Sequence, residues 1–461
     1  MDLGFETVGN ATLVAHDGGP VLATDPWIVG GAYFGSWTRS HAIPDRQMEA
    51  IRGCRYVWLS HGHPDHLSGE SLELLRSAIL LLPDHVGGRI RRDLEQQGFS
   101  VRVLPDREWV ELSPRLHVAS IADWNQDGVL LIDIGGRLVV DLNDAGERGW
   151  GPFVRATMRR YRETYLLRLS GFGDADMINL FDEEGRRILP TAALKNPVGA
   201  QLTRDVEWYG ARFFIPFSSM HRYQRADSVW ANTYTTCLDD YGKGFTSRQC
   251  ELLPAFVGVD FVHDAVERID PPAEPARAHD PREFGDDWAA PLEPGDAEQL
   301  DTYLRSVEHV RESFGFVAFR VGGQEHRVRL DGPPPRGLTF EVPRASLMTA
   351  VAYRVFDDLL IGNFMRTTLH GKAELYPDFT PYLAKYGDNG DARTRQDLAR
   401  YFREYRARDL MGFVRDQLDA RCVRPFQADA ARWLRRAVGG DSTLFRAVKG
   451  AYWGMRRLRV A

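Results

Sequence analysis

The chain has 461 residues, 43% of them apolar and 26% charged, with a formal net charge of −6. That length exceeds one ordinary hydrophobic core, so a large domain with an elaboration, or two domains, is expected, and the acidic balance speaks against nucleic acid as a partner. Cys54, Cys237, Cys250 and Cys422 are scattered without a CxxC pair, no stretch has the features of a signal peptide, and no apolar run approaches membrane-spanning length, so a soluble, cytoplasmic protein with reduced thiols is expected.

In chain order, the first 145 residues read as short strands separated by turns. "ATLVAHDGGPVLATDPW" and "DGVLLIDIGGRLVVDLND" each hold two apolar runs about a glycine pair, the signal of a hairpin. Between them "RYVWLS" reads as a buried strand, and "GESLELLRSAILL" and "VGGRIRRDLEQQG" as amphipathic helices. "GERGWGPFVRATMRRYRETYLLRLSG" predicts a helix leading into a strand. The proline-rich, acidic stretch 269–296 marks a linker or a wrapped surface segment. After it, "FVAFRVGGQEHRVRLDG" predicts a third hairpin and "RQDLARYFREYRARDLMGFVRDQLDA" strong helix.

The chemistry concentrates in "LSHGHPDHLS", residues 59–68. A strand ending at Ser60 and entering a loop places His61 and His63 two apart, so both imidazoles face one side of an extended backbone. Asp65 and His66 follow as the chain turns, with Pro64 suited to a turn or a first helical position. Imidazole and carboxylate together are ligands for a divalent transition metal, and two adjacent ions are within reach of such a cluster.

An HxHxDH motif after a buried strand resembles the metal motif of the metallo-β-lactamase superfamily. Four further stretches, "DPWIVGGAYFGSW", "RLVVDLNDA", "FFIPFSSMHRYQRADSVWANTYT" and "FDDLLIGNFMRT", are similar to the catalytic part of the CMP-N-acetylneuraminate hydroxylases within it. The resemblance spans residues 5–370 and implies an α/β fold, a four-layer αββα sandwich, with a carboxyl-terminal α+β or helical elaboration. The implied division is a catalytic domain over 1–265, a proline-rich linker or wrapping segment over 266–300, and an elaboration with a basic helical tail over 301–461.

Carried over residue by residue, the resemblance assigns His61 and His63 to one metal, Asp65 and His66 to a second, and Asp144 to a bridge between them, with Asp65 and Asp144 the catalytic carboxylates. Asp25 matches an aspartate that supports the site through hydrogen bonds. For the third ligand of the first metal there are two candidates, Asp123 of "IADWNQD" and His117; His221 is the candidate last ligand of the second. An aspartate in place of a histidine shifts preference from zinc towards iron or manganese.

The related hydroxylases also carry a Rieske domain that supplies electrons, whereas no cysteine here is followed by histidine within three residues. Two functions are therefore expected in order of preference. The first is a di-iron oxygenase hydroxylating a small polar metabolite with dioxygen and electrons from a separate electron-transfer protein. The second is a di-zinc or di-manganese hydrolase cleaving a phosphate, ester or amide.

The same resemblance puts Gly171 and Gly173 in the place of a glycine-rich loop whose backbone can approach a substrate, with an ordinary turn as the alternative; Arg168 and Lys195 are candidate partners for a substrate anion. The last thirty residues mix arginine with Trp433, Phe445, Tyr452 and Trp453, which suits a helix packed on the parent domain, or peripheral contact with a membrane surface or an acidic partner.

Overall fold

The structure, a computed structural model, describes residues 1–169, 178–190, 198–218, 220–275 and 277–418. Its first sheet is built from β1 (Leu3–Gly9), β2 (Thr12–Asp17), β3 (Pro20–Thr24), β5 (Tyr56–Trp58), β6 (Ile79–Pro83), β7 (Ser100–Leu104), β17 (Val257–Asp260) and β18 (Ala265–Arg268), ordered β18-β17-β1-β2-β3-β5-β6-β7. The second comprises β8 (Trp109–Ser113), β9 (Leu116–Ala122), β10 (Gly128–Ile134), β11 (Arg137–Asn143), β12 (Thr164–Arg168), β14 (Phe213–Pro216) and β16 (Glu251–Leu252), ordered β16-β14-β12-β11-β10-β9-β8. A two-stranded ribbon of β4 (Trp37–Arg39) and β15 (His221–Tyr223) lies apart from both.

The two large sheets share one core. Phe5, Leu13, Leu22 and Trp58 of the first meet Val118, Leu130, Val139 and Leu167 of the second, all of them buried. The opposite face of the first sheet, with Val14, Val57 and Leu80, packs on α1 (Asp45–Gly53), α2 (Gly69–Glu73) and α3 (Arg89–Gln96) through Ile51, Leu72 and Leu94. The opposite face of the second, with Leu131, Val140 and Leu166, packs on α4 (Gly151–Met158) and α5 (Val198–Tyr209) through Val154, Leu202 and Val206. Neighbouring residues such as Val139 and Val140 thus point into different cores, so these central strands read as continuous apolar runs. The layers are αββα.

The predicted hairpins form. Gly135–Gly136 and Gly322–Gly323 turn with φ of 58° and 85°, and 57° and 74°, the left-handed pair that a two-residue hairpin turn needs. One predicted helix is shorter than expected. Of residues 69–81 only Gly69–Glu73 are helical, because "ILLLP" is buried as β6, parallel to β5 and β7. A five-residue apolar run has no periodicity to tell strand from helix, and burial between two strands decides it.

A third sheet, β13-β22-β21-β19-β20, joins β13 (Leu180–Phe181) to β19 (Phe316–Val321), β20 (Gln324–Arg329), β21 (Gly337–Glu341) and β22 (Arg366–His370). It holds a separate core with α6 (Asp296–Arg305), α7 (Glu308–Ser313), α8 (Arg344–Tyr353) and α9 (Phe356–Ile361), centred on Phe314, Phe319, Phe340, Phe356 and Phe379. The proline-rich stretch runs back over the earlier residues, with Ala273 bridged to His41 and His279 to Arg225. Beyond a π-helical turn, Tyr382–Asn389, the predicted final helix is split at Asp409 into α10 (Arg395–Arg408) and α11 (Leu410–Leu418). Its tyrosines 401 and 405 pack with Val86 and Trp124. Among the described residues no helix is long and apolar enough to cross a membrane. Trp433, Phe445, Tyr452, Trp453 and the rest of the tail lie outside the described residues.

Candidate metal centre

Strands β3, β5 and β6 run parallel, as do β11, β12 and β14, and the carboxyl ends of β3, β5 and β11 meet at one rim of the sandwich. Asp25 follows β3, residues 59–66 follow β5 and Asp144 follows β11. Three chain segments distant in sequence therefore deliver polar side chains to one place, where loops at strand ends are free of ladder constraints.

Asp25, fully buried, organises the motif from behind. Its Oδ1 accepts the Ser60 backbone N–H at 2.7 Å, and its Oδ2 accepts the Ser60 hydroxyl at 2.7 Å and His66 Nδ1 at 3.0 Å. Because the Ser60 hydroxyl donates to Asp25, it accepts from His61 Nδ1 at 2.9 Å. Both imidazoles thereby use Nδ1 as the donor to this network, which turns the Nε2 atoms of His61 and His66 towards the same volume.

There His61 Nε2 lies 2.7 Å from His63 Nδ1 and 3.7 Å from Asp144 Oδ2, while His66 Nε2 is 3.6 Å from Asp144 Oδ2 and 3.4 Å from Asp65 Oδ2. Donor atoms of His61, His63 and Asp144 all fall within 4.8 Å of one another. Around a tetrahedral ion with bonds of about 2.1 Å, ligand atoms stand about 3.4 Å apart, so the 3.4 to 3.7 Å separations fit a cation, while the two imidazoles of His61 and His63, at 2.7 Å, are hydrogen-bonded to each other. His66 Nε2 is buried and makes no hydrogen bond, an orphan that a metal would satisfy. Asp65 is fixed by Tyr33 OH, which donates to Oδ1 at 2.5 Å, and by Asn10 Nδ2, which donates to Oδ2 at 3.0 Å.

Electrostatics follow from this packing. Burial, reinforced by the neighbouring His66 and His63, holds His61 well below the ordinary histidine range. Burial also opposes charge on His66, yet Asp65, Asp144 and Asp25 together raise it well above that range. In Asp65 burial is outweighed by His66, Tyr33 and Asn10, and the carboxyl stays below its usual value.

Residues from far along the chain complete the site. His63 Nε2 is 3.1 Å from Asp357 Oδ2, on α9, and 3.5 Å from Lys385 Nζ, on the π-helical turn. Lys385 also lies 3.6 Å from Asp127 Oδ1. Burial disfavours its charge, but Asp127, Asp357 and Asp144 hold its pKa above the ordinary lysine value. A cavity of about 480 Å³ opens in front, lined by Tyr33, Trp37, His63, Asp144, Asp357 and Lys385 among others. Neither Asp357 nor Lys385 stands out in the sequence; "FDDLLIGNF" offers two adjacent aspartates with no local spacing to choose between them, and burial with Asp357 and Asp65 keeps the Asp358 carboxyl raised well above its usual range.

The two candidates for the third ligand of the first metal lie apart from the cluster of His61, His63 and Asp144. His117 sits near the start of β9, partly exposed, 3.9 Å from Glu111 on the neighbouring strand, because its position in the β register turns it outwards. Asp123 is buried, but its Oδ1 caps a turn by accepting the N–H groups of Asn125 and Asp127, and its Oδ2 accepts Trp150 Nε1 at 3.3 Å. The turn carries Asp127, rather than Asp123, to the cavity wall. His221, on β15, is buried and lies flat against Trp37, ring centroids 3.3 Å apart, one aromatic layer from the cavity. Arg168 pairs with Asp205 at 2.9 Å. Gly171, Gly173 and Lys195 lie outside the described residues.

No family model matches the chain. A cytidine monophosphate-N-acetylneuraminic acid hydroxylase of Asterias rubens is 28% identical over 133 residues, 27% of this chain and 20% of that protein. A Rieske 2Fe-2S iron–sulfur protein of Mycolicibacterium smegmatis is 35% identical over 98 residues, 20% of this chain and 18% of that one. The alignments thus span about a fifth of these relatives' own length. Among solved structures, the metallo-β-lactamase-fold protein YhfI of Bacillus subtilis superposes with a TM-score of 0.33 at 12% identity, covering 55% of this chain and 98% of that one. The diiron β-hydroxylase CmlA of Streptomyces venezuelae gives 0.33 at 14% over 58% and 54%. An isothiocyanate hydrolase from Delia radicum gut bacteria gives 0.34 at 14% over 56% and 99%. With αββα layers and its polar cluster at the rim where strand ends converge, the chain has the metallo-β-lactamase fold, and in sequence it is similar, at modest identity, to the cytidine monophosphate-N-acetylneuraminic acid hydroxylases.

Proposed function

We propose that this chain is a di-iron oxygenase that hydroxylates a small polar metabolite, using dioxygen and electrons delivered by a separate electron-transfer protein. One observation carries the metal-dependent reading. The imidazoles of His61, His63 and His66 converge with the carboxylates of Asp65 and Asp144, at 3.4 to 3.7 Å for the three pairs His61–Asp144, His66–Asp65 and His66–Asp144, a mixed nitrogen and oxygen donor set that suits iron, manganese or zinc. The similarity to named hydroxylases and to a Rieske protein supports redox chemistry with an external electron source.

In this reading His61, His63 and Asp144 would hold one ion, and Asp65 and His66 would hold the other, with Asp144 Oδ2 near both imidazoles. Bound iron would supply dioxygen activation; bound zinc or manganese would supply a hydroxide nucleophile instead. The chain's own groups do the rest. Asp25 and Ser60 fix both imidazole tautomers, Tyr33 and Asn10 aim Asp65, and Asp357 orients His63 from its far side. Leu360, Ile361 and Pro381 give the cavity part of its apolar wall.

Lys385 favours the second reading, a di-zinc or di-manganese hydrolase, since a buried ammonium beside the cluster is placed to steady a developing oxyanion. Metal analysis of protein purified without oxygen separates the two. Iron near two equivalents per chain, with dioxygen consumed when a chemical reductant is added, is expected; zinc as the retained metal with turnover of a model phosphate or ester overturns the oxygenase.

A further inference from the structure

We infer that the cavity before the metal cluster takes an anionic substrate whose carboxylate or phosphate docks on Arg148, an inference that builds on the metal-dependent reading above. Arg148 lines the same 480 Å³ cavity as Asp144, from the same loop and four residues later. Its guanidinium forms no ion pair or hydrogen bond among the described residues, and its Nε is buried without a partner. Its contact is with the face of Trp124, 5.0 Å from the ring centroid, an apolar support that leaves the planar edge of the fork for a ligand.

The other charges of the cavity wall are engaged with one another. Asp65 accepts from Tyr33 and Asn10, Asp357 faces His63, and Asp127 lies between Lys385 and Asn125 Nδ2. Asp144 faces His61 and His66. Arg148 is left over. Burial works against its charge, but nearby acidic groups, Asp127 and Asp416 among them, favour the charged form from longer range. A half-buried cation without a close counter-ion among the described residues is a costly arrangement unless an anion completes it, and guanidinium matches carboxylate or phosphate with two parallel hydrogen bonds.

The loop is also held rigidly. Gly149 has φ of 94°, and a side chain there would meet the Gly412 carbonyl oxygen at 2.2 Å, so the backbone beside Arg148 is clamped on α11. Glu147 Oε1 accepts the N–H groups of Gly149 and Gly151 at 2.8 and 2.9 Å, closing the turn. An arginine placed in this way orients a substrate by its anionic end while the remainder reaches towards the cluster.

The test is calorimetric titration of inorganic phosphate and, separately, propionate into metal-loaded wild type, Arg148→Met and Arg148→Lys, with bound metal counted in every preparation. At least one anion is expected to bind wild type, to bind Arg148→Met about ten- to hundred-fold more weakly at equal metal content, and to be partly recovered in Arg148→Lys. The anion that shows the larger loss tells phosphate from carboxylate. Equal affinity in wild type and both variants, or no binding of either anion to wild type, overturns the inference. If the methionine variant does not fold, the lysine variant decides by the same comparison. A chain that retains no metal defeats the metalloenzyme reading alone, and the titrations of the metal-free proteins then still decide the role of Arg148.

Discussion

His63 Nε2 and Asp357 Oδ2 lie 3.1 Å apart across 294 residues of sequence, joining the motif after β5 to the first turn of α9. Both side chains are mostly buried, and His63 and Lys385 together outweigh burial to hold the Asp357 carboxyl below its usual range. Partners that orient a ligating imidazole are worth about 10–100-fold in metal affinity. Asp357→Ala is therefore expected to weaken metal binding by about that factor, read by competition with a chelator of known affinity.

Asp25 also orients an imidazole, and it holds the backbone of the motif as well. Replacing it with alanine strands the Ser60 N–H and hydroxyl and His66 Nδ1 in a fully buried site. Loss of one partner of a buried charged network costs about 3–5 kcal/mol, so Asp25→Ala should lower unfolding stability by that order in urea denaturation. Metal content should fall with it, because the Nδ1 tautomers are no longer fixed.

Arg225 ties the proline-rich stretch to its surroundings. Wholly buried, it pairs with Asp286 at 2.6 Å and Asp227 at 2.9 Å, donates to the Phe34 carbonyl at 2.9 Å and stacks 4.0 Å over Phe364. Asp286 in turn accepts the Ser346 hydroxyl at 2.6 Å. Arg225→Ala leaves Asp286 buried without its cation and should cost about 3–5 kcal/mol in denaturant melts. Arg225→Lys should recover only part, since an ammonium cannot reproduce the planar fork.

Asp388 gives a pH signature. Burial, only partly offset by Arg393, the Tyr303 hydroxyl and Arg354, pushes its carboxyl up to about 8. A carboxyl raised in the folded state favours folding at low pH, and that contribution is lost as pH rises from about 4, the unfolded value, through about 8. The stability of wild type relative to Asp388→Asn should therefore decline between pH 5 and about 8.5, measured by urea midpoints at both ends. A pH-independent difference would show that the ionised form is accommodated.

The local pieces were legible from the residues alone. Glycine pairs set the hairpin turns, adjacent apolar residues marked strands buried on both faces, and the HxHxDH spacing announced a polar cluster at a strand end, because turn geometry, strand alternation and ligand spacing are encoded within ten residues. Only the assembled fold shows whether "ILLLP" is strand or helix, which acid at 123–127 reaches the cavity, and that Asp357, Lys385 and Arg148 line the same cavity. Those outcomes depend on which surfaces the folded chain brings together, and a side chain's partner three hundred residues away leaves no mark on its own neighbourhood.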